Sequence, residues 1–158
     1  MTNWTAMPQA SKYEFRENPA AEAEVRSAIQ LIKLMLQAET DILPKHRREV
    51  LNVALWKVTE AASDHKHRTR FCSAAVFSLP DCECRHDHVF QRGKMIEHLM
   101  QCGPDAVDKI VSKSVACTIT KEEHVALNKY KHLDGWERYR RATITVVDAT
   151  TGEIFDPK

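Results

Sequence analysis

The fold of this chain is decided between Val115 and Leu127, where the sequence reads VACTITKEEHVAL. The apolar run from Val115 to Ile119 is typical of a short strand. Thr120 and Glu123 are spaced as in a capping box, in which the threonine caps a helix and the glutamate binds the backbone N–H of the cap residue. The stretch therefore predicts a strand that passes directly into a helix.

The N-terminal part of the chain is predicted to be a helical hairpin. Asn18 followed by Pro19 favours a helix start, since asparagine caps helices and proline suits their first turn. Apolar residues spaced by three and four then continue to about Glu39. Pro44 opens a second helix, which is predicted to extend to about Ala62. Because the connection between them is short, the two helices are expected to lie antiparallel.

The chain of 158 residues is expected to form one domain behind an N-terminal arm. We predict an arm over residues 1–18 and a single α+β domain over residues 19–158. In that domain, the helical hairpin of residues 19–62 is expected to pack on the mixed part, residues 63–158. The mixed part consists of a small mixed sheet and C-terminal helices. Strands are predicted at residues 71–79, 85–91, 115–119 and 142–147.

The composition argues against several classes of protein. The net charge of +1 gives no global field that would attract nucleic acid or a membrane surface, so any basic surface must be local. No apolar run reaches the roughly eighteen residues of a transmembrane helix, and the segment from Met1 to Lys12 lacks the pattern of a signal peptide. A cytoplasmic protein with no membrane partner is therefore expected. The five cysteines, an odd number, favour reduced thiols.

A histidine-rich tract, RHDHVF, supplies the candidate site. Side chains alternate along an extended segment, so His86 and His88 are expected on one side of it. On the capped helix, His124 and Asn128 are four residues apart and share a face. The candidate metal ligands are Asp87, His124, His86 and Asn128. His88 is the candidate general base, since such a histidine can activate water beside a divalent ion. The other interpretation is a pair of half-exposed histidines beside an ordinary capped helix.

The run HDHVF, a helical pattern, and then VACTITKEEHVAL resemble the strand-to-helix arrangement of HNH (ββα-metal, His-Me finger) endonucleases. The resemblance covers about residues 85–132. It implies that Asp87 and His124 bind a divalent metal, Mg²⁺ or Zn²⁺, and that His88 is the catalytic base. The family usually has an asparagine between its two histidine positions, and this chain has none between His88 and His124.

Two basic segments are candidates for binding phosphates. The first is HKHRTR at residues 65–70, and the second surrounds Trp136 and Tyr139. Arginines beside aromatic side chains can hold a phosphate backbone and stack on bases. The predicted nucleic-acid contacts are Arg68, Arg70, Arg138 and Arg141. In the alternative interpretation, the two aromatic rings are core contacts and the arginines are solvated.

Cys82 and Cys84 lie immediately before the histidine tract. With a histidine they offer an alternative zinc site, although structural zinc sites more often use a Cys-x2-Cys spacing. Free, half-buried thiols are the other interpretation.

The function expected from these patterns is that of an HNH-like, metal-dependent phosphodiesterase acting on nucleic acid, or a degenerate relative of one. Two alternatives stay open. One is a non-catalytic binding protein from a phage or mobile element, an anti-defence inhibitor that blocks a nucleic-acid-acting partner. The other is a zinc-stabilised interaction module. The apolar face of the helical hairpin also leaves a homodimer open.

Overall fold

The computed structural model describes residues 12–38 and 41–157. Most of the predicted N-terminal arm, residues 1–11, lies outside the described residues, as does the predicted end of the first helix at Glu39. No helix in the described ranges is long and apolar enough to cross a bilayer.

The described part of the arm runs against the domain. Tyr13 is buried, and its hydroxyl donates to the backbone carbonyl of Thr69 at 2.8 Å. The guanidinium carbon of Arg68 lies 5.0 Å from the centre of the Tyr13 ring. Glu17 forms an isolated antiparallel bridge with Ser63. These contacts attach the arm to the segment that leads into the sheet.

The predicted hairpin is formed by helix α1 (Ala21–Gln37) and helix α2 (Pro44–Glu60). The Asn18 side chain accepts a backbone N–H two residues later at 2.9 Å and donates to the carbonyl of Ala61 at 3.0 Å. It therefore joins the start of α1 to the end of α2. At the opposite end, the guanidinium of Arg47 donates to two backbone carbonyls at the end of α1.

The other elements follow in a mixed order. The further helices are α3 (Ala74–Ser78), α4 (Arg92–Cys102), α5 (Val107–Val111), α6 (Lys121–Asn128) and α7 (Trp136–Arg141). The strands are β1 (Phe71–Ser73), β2 (Cys84–His88), β3 (Ala116–Thr120), β4 (Val146–Asp148) and β5 (Glu153–Phe155). They form a sheet of order β2-β3-β1-β4-β5, with β1 parallel to β3 and the other neighbours antiparallel. The predicted α+β class with a mixed sheet is confirmed.

The junction of β3 and α6 has the predicted capping box. The backbone N–H of Glu123 donates to the Thr120 hydroxyl oxygen at 3.1 Å, and the N–H of Thr120 donates to the Glu123 carboxylate at 2.9 Å. Both groups at the helix start are thereby satisfied, so the chain turns from strand to helix without a loop.

The strand predicted over residues 71–79 is wrong beyond Ser73. The Ser73 hydroxyl oxygen accepts the backbone N–H of Val76 at 3.2 Å and caps α3. A short apolar run fits a buried strand and a buried helix equally well. The apolar residues after Ser73 therefore did not indicate that a helix begins there. β1 therefore contributes only three residues to the sheet.

The strand predicted over residues 142–147 begins later, at Val146. Thr143 has φ 55°, a left-handed conformation that no strand accommodates. The turn after Asp148 is as predicted, since the N–H of Gly152 donates to the Asp148 carbonyl at 2.8 Å. That turn leads into β5, which the alternation of residues did not predict.

Two hydrophobic cores position the histidine tract. The first joins the hairpin to α4 and α5 around Ile32, Leu55 and Leu99. The second lies between the sheet and helices α6 and α7, around Leu127 and Tyr139. α2 lies against the face of β2 that carries His86 and His88, and α7 lies against the face that carries Asp87.

Candidate functional site

Strand β2 divides the histidine tract between the two faces of the sheet. The rings of His86 and His88 lie on the α2 side, with centroids 5.2 Å apart. Asp87 points to the α7 side, where it is buried. The alternation of side chains along a strand requires this division. The predicted base and its neighbouring predicted metal ligand are thus on opposite faces.

Trp56 of α2 contacts both histidines. Its ring centroid lies 5.0 Å from that of His86 and 5.0 Å from that of His88. One turn later, the hydroxyl oxygen of Thr59 lies 3.3 Å from His86 Nε2 and 3.4 Å from His88 Nδ1. His86 Nδ1 lies 3.1 Å from the carbonyl of Lys66, so this nitrogen carries the proton and donates it.

The buried Nε2 of His88 has no hydrogen-bond partner among the described residues. Burial lowers the pKa of His88 to about 3, and the positive charges of Arg92 and Arg138 act in the same direction. Burial also lowers the pKa of His86. Both rings are therefore neutral at neutral pH. A neutral imidazole with a free nitrogen can accept a hydrogen bond or a proton, but a pKa of about 3 makes His88 a weak base.

Two cations lie over the tryptophan. The guanidinium carbon of Arg92 is 4.7 Å from the Trp56 ring centre, and the Lys66 ammonium is 5.3 Å from it. Neither cation forms a salt bridge within the described ranges, and Lys66 is exposed. We refer to the two histidines, the tryptophan and threonine of α2 and the two cations together as the histidine–tryptophan cluster. Its members are Trp56, Thr59, Lys66, His86, His88 and Arg92.

On the other face, Asp87 belongs to a buried network. Its Oδ2 accepts from Arg138 Nη2 at 2.6 Å and from the Tyr139 hydroxyl at 2.7 Å. Arg138 also donates to the carbonyl of His88 at 3.0 Å. Burial raises the pKa of Asp87, and the charge of Arg138 and the hydrogen bond from the Tyr139 hydroxyl oppose that rise. Asp87 and Arg138 thus serve as partners inside the protein.

The predicted ligands on α6 lie on the Asp87 side of the sheet. Leu127 of α6 packs in the core that contains Tyr139. His124 lies one turn earlier on α6 and is partly buried. Asn128 is the last residue of α6 and is exposed. His86 and His88 are separated from these groups by the sheet itself.

The donor groups do not fit the divalent ion that the HNH resemblance implies. Asp87 is occupied by Arg138, and His88 lies on the opposite face of β2. Among the described residues, no group of three or more His, Cys, Asp or Glu side chains could hold a metal ion. A shared site at Asp87, His88 and His124 would require the buried ion pair to open.

The predicted phosphate contacts are each engaged by a protein group. Arg70 pairs with the carboxylate of Asp148 at 2.7 Å, and Arg68 donates to the carbonyl of Pro80 at 2.9 Å. Arg141 pairs with Glu137 at 2.9 Å and is exposed. Arg138 is buried against Asp87, as described above. Arg68, Arg70 and Arg141 keep exposed or partly exposed surface, whereas Arg138 does not.

Cys82 and Cys84 lie together at the start of β2. Their sulfur atoms are 3.4 Å apart, and both thiols are half-buried. Burial raises the pKa of Cys84 to about 12. The pair supplies two close sulfur atoms for the alternative zinc site, but no third ligand joins them among the described residues.

Sequence reasoning included Lys66 only within the basic segment of residues 65–70, and it did not identify Trp56 or Arg92 as members of the site. A weak signal existed, because Trp56 and Thr59 are three residues apart and share one helix face. Nothing in the local pattern indicated that this face meets β2.

Comparison with protein-family models, with curated proteins and with solved structures found no match. The assignment of function therefore depends on the geometry of the site itself.

Proposed function

We propose that this protein is a nucleic-acid-binding module, a degenerate relative of the HNH endonucleases that contacts phosphates through the histidine–tryptophan cluster. The observation that carries the proposal is the pair of cations, Lys66 and Arg92, held over Trp56 beside His86 and His88. Neither cation has a salt-bridge partner in the part of the chain that the structure describes.

The chemistry of the cluster suits a phosphate backbone. Phosphate oxygens are attracted by unpaired lysine and arginine side chains, and arginine binds them through two N–H groups. Arg92 reaches the carbonyl of Asn52 only at 3.5 Å, so most of its donors are free for a ligand. Trp56 is only partly buried, and the exposed part of its ring could stack on a base, as in proteins that bind single strands. Since the net charge is only +1, binding is expected to be local and sensitive to salt.

The same arrangement supports binding without metal-dependent cleavage. A one-ion phosphodiesterase requires the base and the ion ligands to converge on one phosphate. Here Asp87 is paired with Arg138 on the far side of β2 from His88. In this proposal, the strand and helix that resemble the HNH arrangement support the binding residues and do not form a catalytic site.

Fluorescence anisotropy with labelled single-stranded DNA, duplex DNA and RNA tests the proposal. We expect binding at low salt that weakens as salt increases. The double variant Lys66→Glu/Arg92→Glu should lose at least about tenfold in affinity. The matched control is Arg48→Glu/Lys129→Glu, which makes the same net charge change at two exposed cations that form no salt bridge with any residue the structure describes. No binding by the wild-type protein, or equal losses in both variants, would overturn the proposal.

A cleavage assay distinguishes the metal-dependent endonuclease from the binding module. Plasmid and RNA are incubated with Mg²⁺, Mn²⁺, Ni²⁺ or Zn²⁺, with His88→Ala beside the wild-type protein. Metal-dependent cleavage that His88→Ala abolishes would replace the binding module by an HNH-like nuclease. If the wild-type protein and His88→Ala yield equal amounts of cleaved product, the cleavage comes from a contaminating nuclease. The anisotropy measurement then decides whether the proposal holds.

A further inference from the structure

We infer that the cleft between α4 and α5 binds a small phosphorylated ligand with a flat ring, of the nucleotide class. The cleft shares no residue with the histidine–tryptophan cluster, and the inference does not depend on the proposed function. Its volume of about 370 Å³ lies within the range of small-molecule sites, roughly 300 to 1,000 Å³.

Two helices present their basic residues to this cleft. Lys94 and His98 are four residues apart on α4, and Lys109 and Lys113 are four residues apart along α5 and the turn that follows it. Residues at this spacing share one helix face, so both pairs can line the same opening. Cys102 follows at the next turn of α4 and is exposed at the rim.

The lysines of the cleft have no acidic partner among the described residues. Lys94, Lys109 and Lys113 form no salt bridge in the described ranges. One carboxylate lines the cleft, that of Asp134, and it accepts the backbone N–H of Gln91 at 2.8 Å. Three lysines facing one carboxylate leave a net positive site. An anionic ligand would relieve their mutual repulsion.

Lys94 is held in place at the edge of the cleft. Its ammonium donates to the carbonyl of Leu133 at 2.8 Å and to that of His132 at 3.2 Å. An ammonium has three protons, so one remains for a ligand. The fixed position of Lys94 reduces the entropy that would be lost on binding.

The floor of the cleft is apolar. Phe90, Met95 and Ile110 line it, and Met95 and Ile110 are buried. The Phe90 ring lies close against Gly135, where an added Cβ would be 2.8 Å from its edge. An aromatic ring and a methionine sulfur form favourable contacts with a flat ligand ring. The apolar floor of the cleft suits the base of a nucleotide, and its basic rim suits the phosphate groups.

Titration with ADP, adenosine and pyrophosphate, followed by calorimetry, tests this site on the full chain. We expect ADP to bind at least about tenfold more tightly than adenosine or pyrophosphate, because only ADP uses both floor and rim. Lys109→Glu/Lys113→Glu should weaken ADP binding by about tenfold or more. The control Lys45→Glu/Lys129→Glu, with the same charge change at exposed positions, should not.

Protection of Cys102 from a maleimide supplies a second readout at the site. Bound ADP should slow its labelling, measured by peptide mass spectrometry, and thermal unfolding should show that each variant is folded. Absence of ADP binding, equal weakening by both double variants, or unchanged Cys102 labelling would overturn the inference. Equal affinity for pyrophosphate and ADP would overturn the nucleotide assignment. Lys66→Glu/Arg92→Glu should leave ADP binding unchanged, so failure of the proposed function is distinguishable from failure of this site.

Discussion

The carboxylate of Asp87 and the guanidinium of Arg138 form an ion pair at 2.6 Å, although 51 residues separate them, with both side chains less than a tenth exposed. The Tyr139 hydroxyl donates to the same carboxylate oxygen. The pair connects β2, the edge strand that carries the histidine tract, to α7. It also removes from the proposed metal site the residue that the HNH resemblance made a ligand.

Removal of this carboxylate should destabilise the fold strongly. Asp87→Ala leaves Arg138 charged and buried without its partner, and we expect a loss of about 3–5 kcal/mol in the free energy of unfolding. Urea denaturation measures it. The control Glu137→Ala removes solvent-exposed pairs with Arg140 and Arg141 and should cost about 1 kcal/mol or less. Similar losses for the two variants would contradict a structural role for the buried pair.

The stability of the protein should fall in mild acid because of His88. The fold lowers the pKa of His88 from 6.5 to about 3, so the unfolded chain takes up this proton first as pH falls. The contribution of the neutral His88 ring to the free energy of unfolding is therefore complete above pH 6.5. Below pH 6.5 it decreases by up to ~1.4 kcal/mol per pH unit. Urea denaturation between about pH 6.5 and 4.5 tests this, above the range in which most carboxylates titrate.

The variant His88→Phe retains a ring against Trp56 but cannot take up a proton. We expect a smaller decrease in stability over the same pH interval than in the wild-type protein. His46→Gln, at an exposed position of α2, controls for the loss of a histidine elsewhere. Identical slopes for His88→Phe and wild type would show that His88 is not held neutral by the fold.

Gly135 should tolerate alanine poorly for two separable reasons. Its φ of 62° strains any residue with a Cβ, and that Cβ would lie 2.8 Å from Phe90 Cε1. Gly103 has φ 73° but open space around an added Cβ. Gly103→Ala should therefore cost only the backbone strain, about 1–3 kcal/mol, and Gly135→Ala about 1–3 kcal/mol more. Thermal unfolding of both variants measures the difference, and equal costs would rule out the contact with Phe90.

The capping box at the start of α6 should contribute measurably to stability. Thr120→Ala removes the oxygen that accepts the N–H of Glu123, and a loss of about 1 kcal/mol is expected. Val125→Ala, on the exposed side of the same helix, is the control and should change stability by less than about 0.5 kcal/mol. A Thr120 variant as stable as the Val125 variant would contradict the contribution of the cap.

Much of the local structure could be predicted from the residues themselves. Apolar spacing predicted α1 and α2, and the pattern of Thr120 and Glu123 predicted the helix start, because caps and amphipathic faces are local properties. The strand over residues 71–79 was mispredicted beyond Ser73. Apolar content alone does not distinguish a buried strand from a buried helix, and the hydroxyl of Ser73 decided between them.

The sequence by itself determined that His86 and His88 share one side of an extended segment and that Asp87 faces the other, since alternation along a strand is independent of the rest of the fold. What each side meets was decided only by tertiary structure. Packing brought Trp56 of α2 against the two histidines and Arg138 of α7 against Asp87, across 30 to 51 residues of chain. The physical reason is that packing between distant segments excludes water from the Asp87 carboxylate. A buried carboxylate requires a group of opposite charge to stabilise it, and Arg138 supplies that charge.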